Sequence, residues 1–199
     1  MATQRDGDHT KARLRTEARD LYLEGGFAGF SLREVARRAG VSAAAVYRHF
    51  DDKEALLRDV CATGFSIFSS YLLRALAART PRERMAASAE QYLRFAVENP
   101  RDYRFIFMGA SEDFATPAPA DTTESASTYH FLVDRVRECM QANVLADGDP
   151  YTVAAAIWAH VHGLVSLRLS GHFAGYGSDE EFARFYRRAT AQLLTGLGP

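Results

Sequence analysis

Cysteine, lysine and long apolar runs are all scarce in this sequence. Its 199 residues include only two cysteines, Cys61 and Cys139, too few for a disulfide framework or a four-thiolate metal site. No uninterrupted run of roughly 18 apolar residues occurs, which argues against a membrane-spanning helix. The opening stretch MATQRDGDHTKARLR is predominantly polar and lacks the apolar centre of a signal peptide. The expectation is a soluble, cytoplasmic protein with no membrane partner. Of the 24 basic residues only Lys11 and Lys53 are lysines. Arginine suits forked contacts with phosphate and guanine, yet a GC-rich genome gives the same bias, so composition does not separate the two. With 25 acids the net charge is −1, which excludes a polycation. A phosphate-binding glycine loop, a Gly-x-Ser-x-Gly elbow and a His-Glu-x-x-His pair are all missing. No catalytic residue, no metal ligand and no cofactor is expected.

What is present reads as helix. The balance of 47% apolar and 25% charged residues is that of an ordinary globular chain, long enough for one large domain or a small and a medium one. Helix starts are marked by a small polar residue followed three positions later by Glu, each side chain satisfying a free backbone N–H of the other. Ser31 with Glu34, Asp51 with Glu54, Thr80 with Glu83, Asp121 with Glu124 and Ser178 with Glu181 fit. Asn99-Pro100 and Asp149-Pro150 add a capping residue before a first-turn proline. With an opening helix near Thr10 to Glu24, closed by Gly25-Gly26, and another from Ser42 to about His49, the pattern predicts an all-α fold of about nine helices. Residues 53–78 read as one long helix whose stripe is Leu57, Val60, Phe65, Phe68, Leu72 and Leu76. The proline-bearing run 115–120 and the glycine-rich run 171–178 read as loops.

Charge is uneven. Between His9 and Phe50 the bases Lys11, Arg13, Arg15, Arg19, Arg33, Arg37, Arg38 and Arg48 face only Glu17, Asp20, Glu24 and Glu34. A mildly basic head on an acidic body is what a nucleic-acid-binding module joined to another domain would give. Inside that head, SLREVARRAGVSAAAVYRHF holds two short helices. The first ends at Ala39-Gly40, where glycine can close a helix, and Ser42 caps the second. Leu32, Val35, Ala36, Val41 and Val46 lock the pair across a tight turn. This is helix-turn-helix geometry, able to place its second helix in a major groove. Ala43, Ala44 and Ala45 would let that backbone approach base edges and thymine methyls, and Tyr47, Arg48 and His49 cluster at its end. The competing reading is a plain helical hairpin in which Tyr47 and Phe50 are simply packed.

Those residues resemble the N-terminal signature of the tetracycline-repressor (TetR) family of transcriptional regulators. The likeness runs from about Thr10 to Val60 through Gly26-Phe27, Val35-Ala36, Ala39 to Ser42, Val46-Tyr47, His49-Phe50, Lys53-Glu54 and Leu56. Ala44 and Ala45 depart from it, since the family often has Thr or Gly there, which leaves fewer groups for reading bases. The resemblance implies a three-helix DNA-binding domain at 1–52 and a helical effector-binding and dimerisation domain at 53–199. It implies that Ser31 and Arg33 touch phosphate, that Ser42, Ala43 and Ala44 face bases, that Tyr47 and His49 grip the backbone, and that Lys53 adds a phosphate contact. Arg48 stays open between base reader, phosphate ligand and solvated surface.

For the body the resemblance implies a homodimer that binds a small molecule. Residues 157–167 resemble a subgroup with a Trp–His-Gly signature. Trp158 and His162 share a helix face, and Gly163 would permit close approach of another helix. Tyr92, Phe95, Tyr103, Phe105, Met108, Phe131, Trp158 and His162 are the candidates for an effector pocket, although aromatics at helical spacing also build cores. The last two helices are the candidate dimer face, with Phe182, Phe185, Leu193 and Leu194 on one side of the final helix. His160 and His162 lie on different faces, poor geometry for one ion. The function expected is a dimeric repressor released from a palindromic double-stranded DNA operator by a hydrophobic or aromatic effector. The alternative is a helical interaction protein whose helix-turn-helix is structural; lack of DNA affinity and a monomeric state would favour it.

Overall fold

The structure is a computed structural model that describes residues 2–109 and 123–199. Among them are nine α-helices and no strand, so the all-α expectation is borne out. The helices are α1 (Ala2–Gly25), α2 (Leu32–Arg38), α3 (Ala43–Tyr47), α4 (Lys53–Arg74), α5 (Pro81–Glu98), α6 (Pro100–Arg104), α7 (Thr123–Gln141), α8 (Pro150–Leu169) and α9 (Asp179–Gly196). The expected loop at 115–120 and the start signal at Asp121 lie outside the described residues.

Several boundaries differ from expectation, each for a local reason. Helix α1 begins at Ala2 rather than near Thr10, because no proline interrupts the polar stretch and the single Gly7 costs only about 1 kcal/mol. Helix α3 stops at Tyr47, its end tightened by a His49 N–H to Val46 carbonyl bond of 2.9 Å. Asp52, not Asp51, caps α4, accepting from the Ala55 N–H at 2.6 Å. Helix α4 gives way to a 3-10 turn over Ala75–Ala77, and Leu76 of the expected stripe is exposed. Asn99 does not cap α6; its amide donates back to Tyr71 Oη at 3.0 Å and to the Phe95 carbonyl. The boxes at Thr80–Glu83 and Ser178–Glu181 are complete, and Asp149 accepts from the N–H groups of Tyr151 and Thr152.

The described residues fall into two compact units, 2–66 with 101–109 and 67–100 with 123–199, and α4 contributes to both. In the first unit, Leu14, Ala18, Leu21 and Tyr22 make the buried face of α1. Leu32, Val35 and Ala36 of α2, Ala45 and Val46 of α3, and Leu56, Leu57, Val60 and Cys61 of α4 supply the rest of that core. Gly26, at φ +62°, closes α1. Helix α6 runs into a π-helical turn, Phe105–Gly109, which α1 and α4 hold between them. Tyr22 stacks edge-on to Phe105 at 5.3 Å and donates to the Gly109 carbonyl, while Phe65 packs on Phe107 at 5.7 Å. Gly64 of α4 faces Ile106 so closely that a Cβ there would stand 2.6 Å from the Ile106 Cγ2.

The second unit centres on Met85, Val133, Val136, Cys139, Leu145, Ala154 and Ile157, with Leu193, Leu194 and Leu197 packed against them. Helix α9 is fastened to α5 by Tyr186 Oη donating to the Ala89 carbonyl at 2.8 Å and by the Arg187–Glu90 ion pair at 2.7 Å. The apolar side of α9 is therefore turned inward, with Phe182 and Tyr186 buried. Helix α8 instead leaves Tyr151, Ala155, Ala156, Ala159 and Leu167 exposed, and nothing lies within 4 Å of a Cβ built at Gly163. By length and composition alone, Lys53–Ala77 and Pro150–Leu169 are each long and apolar enough to cross a membrane, with mean hydropathy 1.4 and 1.2. The absence of an uninterrupted apolar run had argued against this, but charged and small residues dilute the run without lowering the average enough. In the fold, α4 buries Leu56, Leu57, Val60, Phe65, Phe68 and Leu72 but leaves Leu73 exposed.

The helix-interior glycines Gly64 and Gly163 should behave oppositely. In an open helix Gly→Ala gains up to about 1 kcal/mol, and Gly163→Ala is expected to do so within the subunit. Gly64→Ala should instead lose about 1–2 kcal/mol by overpacking, with part recovered when Ile106→Ala is added. Urea unfolding of the single and double variants measures both.

Candidate nucleic-acid interface and aromatic core

Helix α3 has five residues, far too few to persist by itself. It exists because Ser42, in extended conformation, accepts the Ala45 N–H at 3.2 Å, and because Ala45 and Val46 are buried beneath it. Ala45, expected beside Ala43 and Ala44 on the groove side, thus faces the interior. The helical period leaves Ser42, Ala43, Ala44, Tyr47 and Arg48 exposed along one side. Of the two residues a plain hairpin would pack, Phe50 is buried but Tyr47 is 56% exposed. His49 is half-buried, its ring 6.4 Å from that of Phe50.

Ser31, which accepts the Glu34 N–H at 3.2 Å, and Arg33 are exposed at the start of α2. The reciprocal arm of the capping box is missing, because the Glu34 carboxylate is bonded to Arg37 and Arg38 instead. Those two guanidiniums, Arg37 first, hold its pKa down to about 2. Lys53 opens α4 with its ammonium 3.6 Å from the centre of the Phe27 ring, a cation–π contact that fixes the side chain in place.

The basic count of the head overstates its reach. Lys11 and Arg15 both pair with Asp59, Arg19 with Asp102, Arg37 with Glu34, and Arg38 with Glu24. Among the described bases of 9–50, Arg33 and Arg48 have neither an ion pair nor a side-chain hydrogen bond. Arg13 has no ion pair, but it donates to the Ala39 carbonyl in the turn of the motif, a contact no sequence signal announced.

Of the aromatic candidates, four form one network in the second unit. Tyr92 Oη and His162 Nδ1 are 3.1 Å apart, Trp158 lies 5.8 Å from the His162 ring, and Phe68 bridges Tyr92 and Phe95 at 5.5 and 5.1 Å. Burial pushes the His162 imidazole below its ordinary 6.5, so it is neutral at pH 7. Phe131 carries the Arg135 guanidinium at 4.7 Å and lines a groove of about 560 Å³ with Leu72, Leu73, Thr128, His130 and Asp134. Tyr103 and Phe105 belong to the first unit and are fully buried there, and Met108 is exposed. Among the described residues no three His, Cys, Asp or Glu side chains are arranged to hold a metal ion.

Residues 14–60 match the family described as bacterial regulatory proteins, tetR family, and residues 85–193 match the tetracyclin repressor-like C-terminal domain. The HTH-type transcriptional activator FasR of Mycolicibacterium smegmatis is 30% identical over 101 residues. That stretch covers 50% of this chain and 46% of FasR, so the match spans about half the length of that relative. A solved protein of unknown function from Rhodococcus sp. RHA1 is 26% identical, with a TM-score of 0.75 and 96% of both chains covered. The TetR family transcriptional regulator PfmR of Thermus thermophilus shares the fold at 20% identity and a TM-score of 0.72, with 94% of this chain and 100% of that one covered.

The half-buried imidazoles carry a pH signature. Burial depresses both His160 and His162 below 6.5, so below that pH the unfolded chain binds protons that the folded one refuses. Stability should be complete above pH 6.5 and fall as the pH drops beneath it. Urea melts of His162→Gln across that range are expected to give a shallower decline than the parent; an identical slope would show that burial does not depress His162.

Proposed function

Because the chain belongs to the TetR family of bacterial regulatory proteins, and is therefore a DNA-binding transcriptional regulator and not an enzyme, we propose that it acts as a homodimeric repressor. A small hydrophobic or aromatic effector releases it from a palindromic operator in the cytoplasm. The observation that carries this reading is the exposed side of α3, where small residues and a solvated tyrosine stand over a buried Ala45–Val46 base. Ser42, Ala43 and Ala44 reach base edges. Ser31, Arg33, Tyr47, His49 and Lys53 grip phosphates and fix the register. Arg48, exposed and without an acid partner, joins the phosphate contacts.

The division of labour follows the chain, with DNA binding in 1–52 and effector binding and dimerisation in 53–199. A second copy packs against α8, where Gly163 and the exposed alanines admit another helix closely, and α9 completes the interface. Two such heads read half-sites about 34–36 Å apart on the duplex. The effector enters the second unit beside Tyr92, Phe95, Phe131, Trp158 and His162. With the imidazole neutral, these residues offer rings and one hydrogen-bonding pair, which favours an uncharged ligand with a single polar group. Helix α4, continuous between the units, carries the response. The effector can shift the operator-binding state only by its differential affinity for the two conformations. A second reading, activation, is favoured by the activator function in the name of the FasR relative.

A gel shift on DNA flanking the chain's own gene is expected to show specific, salt-sensitive retardation, and transcription in vitro from that promoter should fall as protein is added. A rise would replace repression with activation. Tyr47→Ala should weaken binding about tenfold on this DNA and on random DNA alike; equal affinity for parent and variant would take Tyr47 off the interface.

A further inference from the structure

The turn between α2 and α3 must hold a five-residue helix at a fixed angle, and it does so with few backbone bonds. Its N–H groups use carbonyls of α2, Ala39 to Val35 at 2.9 Å, Gly40 to Arg37 at 3.2 Å and Val41 to Ala36 at 3.0 Å. Gly40 sits at φ +63°, where the chain reverses and a side chain would be strained. The carbonyl of Ala39, the last before that reversal, is taken by the guanidinium of Arg13, which reaches across from α1. The same Nη2 lies 3.1 Å from where a Cβ on Gly40 would be, so the guanidinium rests against the glycine. Arg13 is exposed and, unlike its neighbours Lys11 and Arg15, pairs with no acid among the described residues.

Resting on the reading of α3 as the helix that meets the bases, we propose that Arg13 is a positioning residue for operator recognition. Its hydrogen bond to Ala39 fixes the direction in which α3 leaves the turn. Base-edge contacts carry the sequence information and need that direction held closely, whereas phosphate contacts are the same on every sequence. Arg13 therefore governs discrimination between sequences and contributes little to the general attraction for DNA. A guanidinium serving as a phosphate ligand would do the reverse, adding equally to every duplex and raising the salt dependence.

The test uses the full chain and a duplex enriched by the parent protein from a random-sequence pool, with a scrambled duplex of the same composition as reference. Affinities are measured at several salt concentrations for the parent, Arg13→Met and Arg13→Lys. The expected result for Arg13→Met is a loss of about tenfold or more on the enriched duplex, little loss on the scrambled one, and an unchanged salt slope. Arg13→Lys keeps the charge and shortens the reach, so it should lower discrimination by less, again at constant slope; it carries the test if Arg13→Met does not fold. Parent-like discrimination in both variants overturns the proposal. So does an equal loss on both duplexes with the slope reduced by about one, which would make Arg13 a phosphate ligand. A parent protein that enriches no duplex would sink the operator reading itself.

Discussion

A helix of five residues has no stability of its own, and the surface proposed to face DNA is such a helix. Forming one turn fixes several dihedral angles for a single hydrogen bond, so α3 depends on what surrounds it. The Ser42 hydroxyl satisfies one end, Val46 anchors the underside in complete burial, and the left-handed Gly40 directs the entering chain. Each is local and modest, on the order of 1 kcal/mol for a cap. Together they hold a weak helix in place with its outer side exposed. If that side is the one that meets DNA, as proposed, its scarcity of hydrogen-bonding side chains would place more of the recognition on backbone approach and shape.

Electrostatics in the head serves architecture before it serves binding. A single carboxylate, Asp59, gathers Lys11 and Arg15 and so ties α1 to α4. Arg19 engages Asp102 and Arg101 engages Asp20, an exchange that joins α1 to α6. Partly exposed pairs of this kind contribute little each, but several between the same elements set their register. Among the described bases of the motif, that leaves Arg33 and Arg48 exposed without an ion pair, with Lys53 at the start of α4 held over the Phe27 ring.

Much of the fold was legible because helix starts are written locally. A hydroxyl or carboxylate and a Glu three residues on is a short-range signal, and at Thr80 and Ser178 the bonds are those the pattern implies, while Asp149 caps α8 just before its first-turn proline. The failures share a cause as well. Asn99 looked like a cap but found Tyr71, 28 residues earlier. Ala45 looked like its neighbours but points inward, since a one-residue step turns a helix by about 100°. The Gly64–Ile106 notch, the Tyr186 bond to α5 and the Arg13 bond to Ala39 join residues far apart in the chain, and no periodicity carries such information. For the candidate site, the outward row on α3 could be read from spacing. Which bases were already engaged could not, because that depends on where acids from other helices arrive. The aromatic candidates were readable as a set but not by unit, since Tyr103 and Phe105 look no different from Tyr92 and Phe95 in sequence.

The chain's single tryptophan sits in the second unit, beside His162. Excited at the red edge, where phenols do not absorb, it reports its own surroundings, whereas tyrosines such as Tyr22 and Tyr47 emit from the first unit. Excitation at the red edge would follow one unit alone, and excitation of all the phenols would follow both. The molecule thus carries a built-in optical label with which melting of the two units can be told apart without attaching a dye.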